Sequence, residues 1–403
     1  MNIILFDSFT RMHLLPLTFT RPVAELRVGI TTISEKWQRW FPDSVSCLAP
    51  DYLKPLFPVN IAADNILIDG SVLPDQQIVS AIQQLKENSV LTDTDNNILA
   101  ARLPELQVQS LVSFPEYLDM RVLKPQSIET VKAFKAITHP WNLFTMAGEL
   151  LTDDFTHLTK GRKSAPLPAS NRCVNPENIF IEDGATVEFS ILNASSGPIY
   201  IAKDAEIMEN SVIRGPFALG EHSVVKIGAK IYGPTIVGPH CKVGGEVNNS
   251  VFLGYSNKAH DGFLGNSVIG EWCNLGADTN NSNLKNTYEE VKLWSYVKKG
   301  FVTTGLQFCG LIMGDHSKCS INTMFNTGTV TGVSCNLYGD GFHRNFIPSF
   351  SWGSTAKLTD FQFEKAMLVV ERVMARRGLQ LSDSERDMLH HVFSGTEEWH
   401  NKQ

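Results

Sequence analysis

From residue 201 onward, one position in every six is aliphatic: Ile201, Ile207, Ile213, Leu219, Val225, Ile231, Val237 and Val243. Gly220, Gly238 and Gly244 directly follow three of them, and small or polar residues fill most positions between. An α-helix wants apolar residues at steps of three and four and a strand at steps of two, so neither sustains a period of six. The pattern predicts a coil of short strands joined by tight turns, with one side chain per hexapeptide stacked inward on its counterparts in adjacent coils. Such a stack buries little until several coils accumulate, which accounts for the length of the run. The period breaks at Asn249 and returns in pieces, as Ile269-Gly270 and Leu275-Gly276, then as Met313, Cys319 and Phe325. A β-helix of hexapeptide repeats is therefore expected over 177–352, interrupted by loops at Gly254–Gly262 and Asn283–Gly305. Loops that interrupt a regular scaffold are where function concentrates.

The flanks follow other patterns. Residues 1–160 read as a mixed α/β domain, with β-prone runs at Met1–Leu5 and Asn65–Ile68. Ile78, Ile82 and Leu85 give Asp75–Glu87 helical spacing, and a second helix is predicted over Thr130–Phe144, interrupted by Pro140. Lys160–Pro176 holds three prolines among Ser, Arg and Asn and reads as a linker. In the tail, 356–403, FEKAMLVVERVMARRG places Ala366, Val369, Val370 and Val373 on one face and ends in Gly378. LSDSERDMLHHVF offers Ser382 as an N-cap with Glu385 three residues on. Two helices closing the solenoid are expected.

Composition narrows the function classes. With 43% apolar and 19% charged residues in 403, the chain is globular rather than disordered. A net charge of -7 argues against a nucleic-acid partner, because phosphate binding needs a basic face. No apolar run reaches the roughly 20 residues of a membrane span, and the seven cysteines form no CxxC pair. Reduced thiols and a cytoplasmic location are expected.

His260, in NKAHDGFLGN, falls in the first interrupting loop beside Lys258 and Asp261. Histidine is the usual general base near neutral pH, although a lone loop histidine is more often a plain surface residue. The run KAHDGFLGNSVIGEWCNLGADTNNSNLKN supplies more. Lys258, Ala259, His260, Leu264, Gly265, Ile269, Gly270, Asn274, Leu275, Gly276, Ala277, Thr279 and Asn283 match the pattern of the acetyltransferase half of the bifunctional GlmU enzymes, with one residue deleted before His260. The resemblance implies a left-handed β-helix, a homotrimer, and acetyl-CoA bound between adjacent subunits. It makes His260 the base that deprotonates a sugar amine. It puts Asn283 and Phe263 at the sugar, and Ala277, Gly310, Leu311, Thr327 and Gly328 at acetyl-CoA. The family tyrosine is Phe263 here and a second tyrosine is Leu284. The family lysine for the sugar phosphate aligns near Asn249, leaving Arg214 and Lys258 as basic candidates.

FDSFTRMHLLPLTFTRPVAELRVG resembles the opening of sugar nucleotidyltransferases through Thr10-Arg11, Leu15-Pro16-Leu17-Thr18 and Arg21-Pro22. Asp7, Ser8 and Phe9 stand where that family has glycines that let the backbone approach phosphates. Arg11, Arg21, Arg27 and Lys36 are candidates for neutralising phosphates, and Asp69 for holding Mg²⁺. The whole chain resembles the divergent GlmU-like proteins of Bacteroidetes. That implies UDP-N-acetylglucosamine synthesis from an amino-sugar phosphate, acetyl-CoA and UTP. Three alternatives stand beside this reading: a nucleotidyltransferase of other specificity with a purely oligomerising solenoid, a zinc lyase on the same solenoid, and a non-catalytic trimeric scaffold. The lyase needs three His ligands, two of them on closely spaced coils. His240, His260, His316 and His343 lack that spacing.

Overall fold

The computed structural model describes residues 2–42 and 44–400. They form two compact units: residues 2–26, 31–140 and 383–391, and residues 27–30, 141–382 and 392–400.

The first unit is a nucleotidyltransferase-like α/β domain on a six-stranded sheet. Its strands are β1 (Asn2–Phe6), β2 (Val45–Leu48), β3 (Asp64–Asp69), β5 (Ser89–Thr92), β6 (Ile98–Pro104) and β7 (Ser127–Thr130), in the order β2-β1-β3-β6-β5-β7. β1 pairs in parallel with both neighbours and all five of its residues are buried, as a strand covered on both faces requires. A short strand β4 (Val72–Leu73) follows β3. Helix α1 (Thr10–His13) follows β1, and α2 (Ile33–Trp40) starts at a capping box in which Thr32 and Glu35 satisfy each other's backbone N–H groups. The predicted helix at Asp75–Glu87 is α3 (Gln76–Gln84), capped by Asp75.

The helix predicted over Thr130–Phe144 does not form. Ser127–Thr130 pairs with β5, and Lys135–Ala136 (β8) pairs with β4. Only Asn142–Thr145 is helical, past Pro140. Pairing with strands already in place outweighs the weak helical spacing of that segment.

The second unit is a parallel β-solenoid whose three faces are sheets of nine, ten and six strands. All eight aliphatic positions of the six-residue run are at most 1% exposed. The predicted linker ends inside the solenoid, because Arg172–Val174 pairs with Ile191–Asn193 in the first coil. The solenoid also does not break at Asn249. Val243↔Lys258, Val247↔Leu264 and Phe252↔Ile269 are all in register. The period vanishes from the sequence there because some turns shorten and because an inward position is a lysine, Lys258. Gly254–Gly262 is therefore an ordinary coil segment containing the strand Asn257–Lys258. The second interruption is real: it carries an antiparallel hairpin, Lys292–Ser295 with Gly300–Thr303. Trp294 of that hairpin stacks on Phe346 at 4.1 Å.

The tail helices do not simply cap the end. Phe363, at the start of Phe363–Ala375, lies 6.1 Å from Phe350 near the last coil. Past its end, Arg377 reaches Asn257 at 3.2 Å. Strands at 257, 274, 318, 336 and 352 are successive in one sheet, so those contacts are four coil steps apart, about 19 Å at ~4.8 Å each. A 13-residue helix spans about 20 Å. It runs along the solenoid's flank, burying Ala366, Met367, Val370 and Met374, and stops at Gly378. Val369 and Val373, expected on the buried stripe, are half-buried.

Candidate functional site

Two sites are built from these units, each within one unit. The first is a cavity of about 540 Å³ at the C-terminal ends of β1 and β3, lined among others by Ser8, His13, Asp69, Ser71, Tyr117 and Asp119. Phe9 forms one aromatic wall, edge-on to His13 at 5.3 Å and to Tyr117 at 5.0 Å. Asp69 is 7% exposed and accepts hydrogen bonds from the Ser71 N–H (2.9 Å), the Ser71 hydroxyl (2.7 Å) and the Ser8 side chain. Burial pushes its carboxyl up, and those donors pull it back. Among the described residues no three His, Cys, Asp or Glu side chains group to hold a metal by themselves. One carboxylate suffices for a Mg²⁺ that arrives with nucleotide phosphates and water. Asp69 is the candidate for that role expected from the sequence, and Asp93 and Asp119 line the same cavity.

Of the four basic residues expected at the phosphates, Arg27 donates to the Ile30 carbonyl and does not line the cavity, and Arg11, Arg21 and Lys36 are turned away. Arg11 is fully buried: one guanidinium nitrogen donates to Asp7 (2.9 Å) and to the Arg21 carbonyl (3.0 Å), the other to the Tyr52 hydroxyl (2.5 Å). Burial pushes Asp7 up to about 6, and the guanidinium limits the rise. Arg21 and Lys36 are 6% and 4% exposed, and Lys36 donates to Thr31 at 3.0 Å. None of the three lines the cavity. The cation there is Arg121, bound through two nitrogens to Asp119 at 2.8 and 2.7 Å. Sequence reasoning missed His13, Asp119 and Arg121, because no spacing links DMR at 119–121 to the loop after β1.

The second site lies on the solenoid where one coil overhangs another. Val243↔Lys258 and Glu246↔Phe263 are paired, so Gly244-Gly245 below faces Ala259, His260, Asp261 and Gly262 above. The upper turn carries His260 and has four residues, as do the turns at 208–211, 226–229 and 276–279; the Gly244-Gly245 turn is the shortened one. Gly245 sits directly beneath: a Cβ there would meet the Asp261 Cα and the His260 carbonyl, each at 2.8 Å. The His260 imidazole is exposed and has no hydrogen-bond partner among the described residues. The Phe263 N–H donates to the Asn280 side chain (2.8 Å) one coil on, and the Asn283 amide donates to Asn266 (2.8 Å). Phe263 and Asn283 both pack over Gly265. His260, Phe263, Asn266, Asn280 and Asn283 thus belong to two adjacent coils.

Other expected residues land elsewhere. Lys258 is fully buried inside the coil, and its ammonium donates to the carbonyls of His260 (2.5 Å), Asp261 (3.0 Å) and Gly244 (3.3 Å). Nothing of it is left for a sugar phosphate. Burial pushes it down to about 8 against the pull of Asp261 and Asp278. Arg214 is exposed on the same sheet face, three coils from Gly265, or about 14 Å. Ala277 is half-exposed. Gly310 and Leu311 are enclosed in the coil, Thr327 donates to Ser282 at 3.1 Å, and Gly328 lies beneath Val291 and Lys292 at the base of the hairpin. All seven cysteines are free and six are buried, as apolar fillers would be.

The fold defines a nucleotidyltransferase-like domain joined to a parallel β-solenoid. Residues 3–163 match a family model described as sugar nucleotidyl transferase. Among solved structures, the chain is similar to the Arabidopsis UDP-N-acetylglucosamine acyltransferase at 17% identity, over 58% of this chain and 84% of that one, with a TM-score of 0.23. It is similar to the Francisella novicida UDP-N-acetylglucosamine acyltransferase at 13% identity, over 53% and 72%, with a TM-score of 0.19. Neither superposition is close enough to carry over a residue or an activity. No curated protein matches the chain. No helix among the described residues is long and apolar enough to cross a membrane.

Proposed function

We propose that the solenoid transfers the acetyl group of acetyl-CoA to the amine of glucosamine 1-phosphate, and that the N-terminal unit performs uridylyl transfer from UTP to give UDP-N-acetylglucosamine. The observation that carries this reading is the turn that presents an exposed His260 at one end of the strand Phe263–Gly265, at whose other end Asn266 and Asn283 meet. A sugar ammonium cannot attack a thioester until it loses a proton, and an imidazole is suited to take it near neutral pH. The imidazolium passes that proton to solvent and the amine forms the new C–N bond; His260 then takes the nitrogen's second proton and gives it to the CoA thiolate as the C–S bond breaks, leaving the neutral amide. Solenoid turns offer backbone N–H groups to the transient oxyanion. Asn266 and Asn283 supply the donors and acceptors that a sugar's hydroxyls need, and the Phe263 ring suits its apolar face. Ala277 remains the surface candidate for acetyl-CoA. Gly310, Leu311, Thr327 and Gly328 would act by shaping the coil beneath, in a homotrimer whose subunits share the site.

In the N-terminal cavity, Asp69 would hold the Mg²⁺ that accompanies UTP, and Ser8 and Ser71 would fix that carboxylate. The inward turn of Arg11, Arg21 and Lys36 favours a second reading, in which this unit turns over no nucleotide and acetyl transfer is the chain's one activity. Purified protein supplied with acetyl-CoA, UTP, Mg²⁺ and glucosamine 1-phosphate decides between them, with thiol release and product mass as readouts. Acetyl transfer should survive EDTA, and uridylyl transfer should stop. His260→Ala should abolish thiol release at an unchanged melting temperature. Thiol release at the wild-type rate in that variant would sink the acetyltransferase assignment.

A further inference from the structure

The inward column that contains Lys258 is otherwise apolar over many coils. Val187, Ile207, Val225 and Val243 precede it, and Leu275, Cys319 and Leu337 follow, each at most 4% exposed. A lysine in such a column carries a heavy desolvation penalty unless its charge is met by well-placed partners. Packing does not ask for it, since an aliphatic side chain fills the equivalent place in neighbouring coils.

The backbone around it does ask for it. The turn Ala259–Gly262 stacks on the equally long turn 276–279 on one side, but on the other it lies over the two-residue Gly244-Gly245 turn and has no match there. The ammonium fills that gap and gathers one carbonyl from the lower coil, Gly244, with two from the overhang, His260 and Asp261. Asp261 is held from the other side too, because its carbonyl accepts the Asp278 N–H at 3.0 Å. The turn that presents His260 is thus pinned through its own carbonyls by a side chain that reaches no solvent.

We propose that Lys258 is a positioning residue for acetyl transfer, sealed inside the solenoid, fixing the His260 turn against the coil below and with it the direction of the imidazole. The role rests on the reading of His260 as the base. Asp261, Asp278 and Cys319 are the titratable groups facing the ammonium, and none of them forms a side-chain ion pair with it among the described residues. Its hydrogen bonds therefore go into the backbone, where they control geometry.

Lys258→Met keeps the length and apolar stem and removes every donor. Where Met lowers the yield of folded protein, Lys258→Gln, which keeps one amide donor, is read in the same way. Two measurements are made on the full-length protein: hydrogen–deuterium exchange of peptides covering 259–263, and steady-state acetyl transfer. Exchange should rise in that turn and stay unchanged in the flanking strands. The kcat should fall about 100-fold, the cost of misplacing a reacting group by about an ångström, with both KM values within threefold and the melting temperature held. Gln should return part of the rate. Unchanged exchange in the turn overturns the brace. Raised exchange with wild-type kcat, while His260→Ala is inactive, overturns the positioning role. Wild-type activity in His260→Ala overturns the acetyltransferase reading itself, and the exchange data still report on the brace.

Discussion

Replacing His343 by leucine should make the protein more stable, and increasingly so as the pH falls. His343 occupies an inward position beneath Phe325, with ring centroids 6.1 Å apart, and is 2% exposed. Neither of its ring nitrogens has a hydrogen-bond partner. A neutral imidazole there leaves one donor and one acceptor unmet, and such groups cost about 1–3 kcal/mol. Leucine has nearly the same volume and no polar atoms, so the variant should gain about 1–2 kcal/mol at pH 8. Burial also lowers the His343 pKa. The unfolded chain therefore takes up this proton first, below a pH of about 6.5, and the folded chain loses stability as the pH drops through that window. The deficit widens as the pH falls for as long as the unfolded ring is protonated and the native ring is not. The assay is urea denaturation of wild type and variant from pH 8 to 5.5. Taking the difference cancels the other histidines. A stability gap that stays constant across this range, or a wild type more stable than the variant at pH 8, would refute the reasoning.

Two further substitutions test the other unit and the site itself. Arg11→Met leaves the Asp7 carboxylate buried without its cation at 2.9 Å; it should cost about 3–5 kcal/mol in chemical denaturation, and Asp7→Asn in the same chain should restore part of it. Gly265→Ala needs no unusual backbone angle, but its Cβ would come within 2.5 Å of the Phe263 ring and 2.7 Å of the Asn283 amide. Those side-chain ends can move aside, so the melting temperature should hold while kcat/KM for the amino sugar drops about 10- to 100-fold.

The solenoid was legible because its period comes from a backbone repeat that must bury one side chain per face. That signal survives wherever the buried residue is aliphatic. It failed at Lys258 and Asn281, where polar side chains occupy inward positions, and it failed where shortened turns moved the register by one or two residues. The loop expected around His260 is such a case, because the coil continues through it in register. What marks it is the mismatch between the Gly244-Gly245 turn and the four residues above, which shows only when two coils are laid in register. In the N-terminal unit, Arg11 looked like a phosphate ligand because sequence order cannot reveal which way a short loop turns its side chain. Asp7, the residue that replaces a glycine in the loop, is also the one that draws Arg11 inward.

Small Ser and Thr side chains are buried along the whole solenoid, whereas the larger inward polar side chains Lys258 and Asn281 both lie in the two coils of the candidate site. Lys258 holds the His260 turn. Asn281, 4% exposed, accepts the Gly265 N–H at 2.8 Å and donates to the Gly265 carbonyl at 3.0 Å, one coil away. Asn280 meets Phe263 from the outer side. Each of these fixes backbone within a few residues of His260, Phe263 or Asn283, and Lys258 and Asn281 stand in columns whose neighbours Val243, Leu275 and Phe325 are apolar. Natural chains tend to break local rules of this kind where precise geometry matters, and to accept the lost stability. His343 breaks the same rule two coils beyond Asn281 without satisfying either nitrogen and without bracing a turn. That contrast separates a supporting polar core from a merely tolerated one. Substituting Lys258 or Asn281 should lower activity more than stability, and substituting His343 should raise stability and leave acetyl transfer alone.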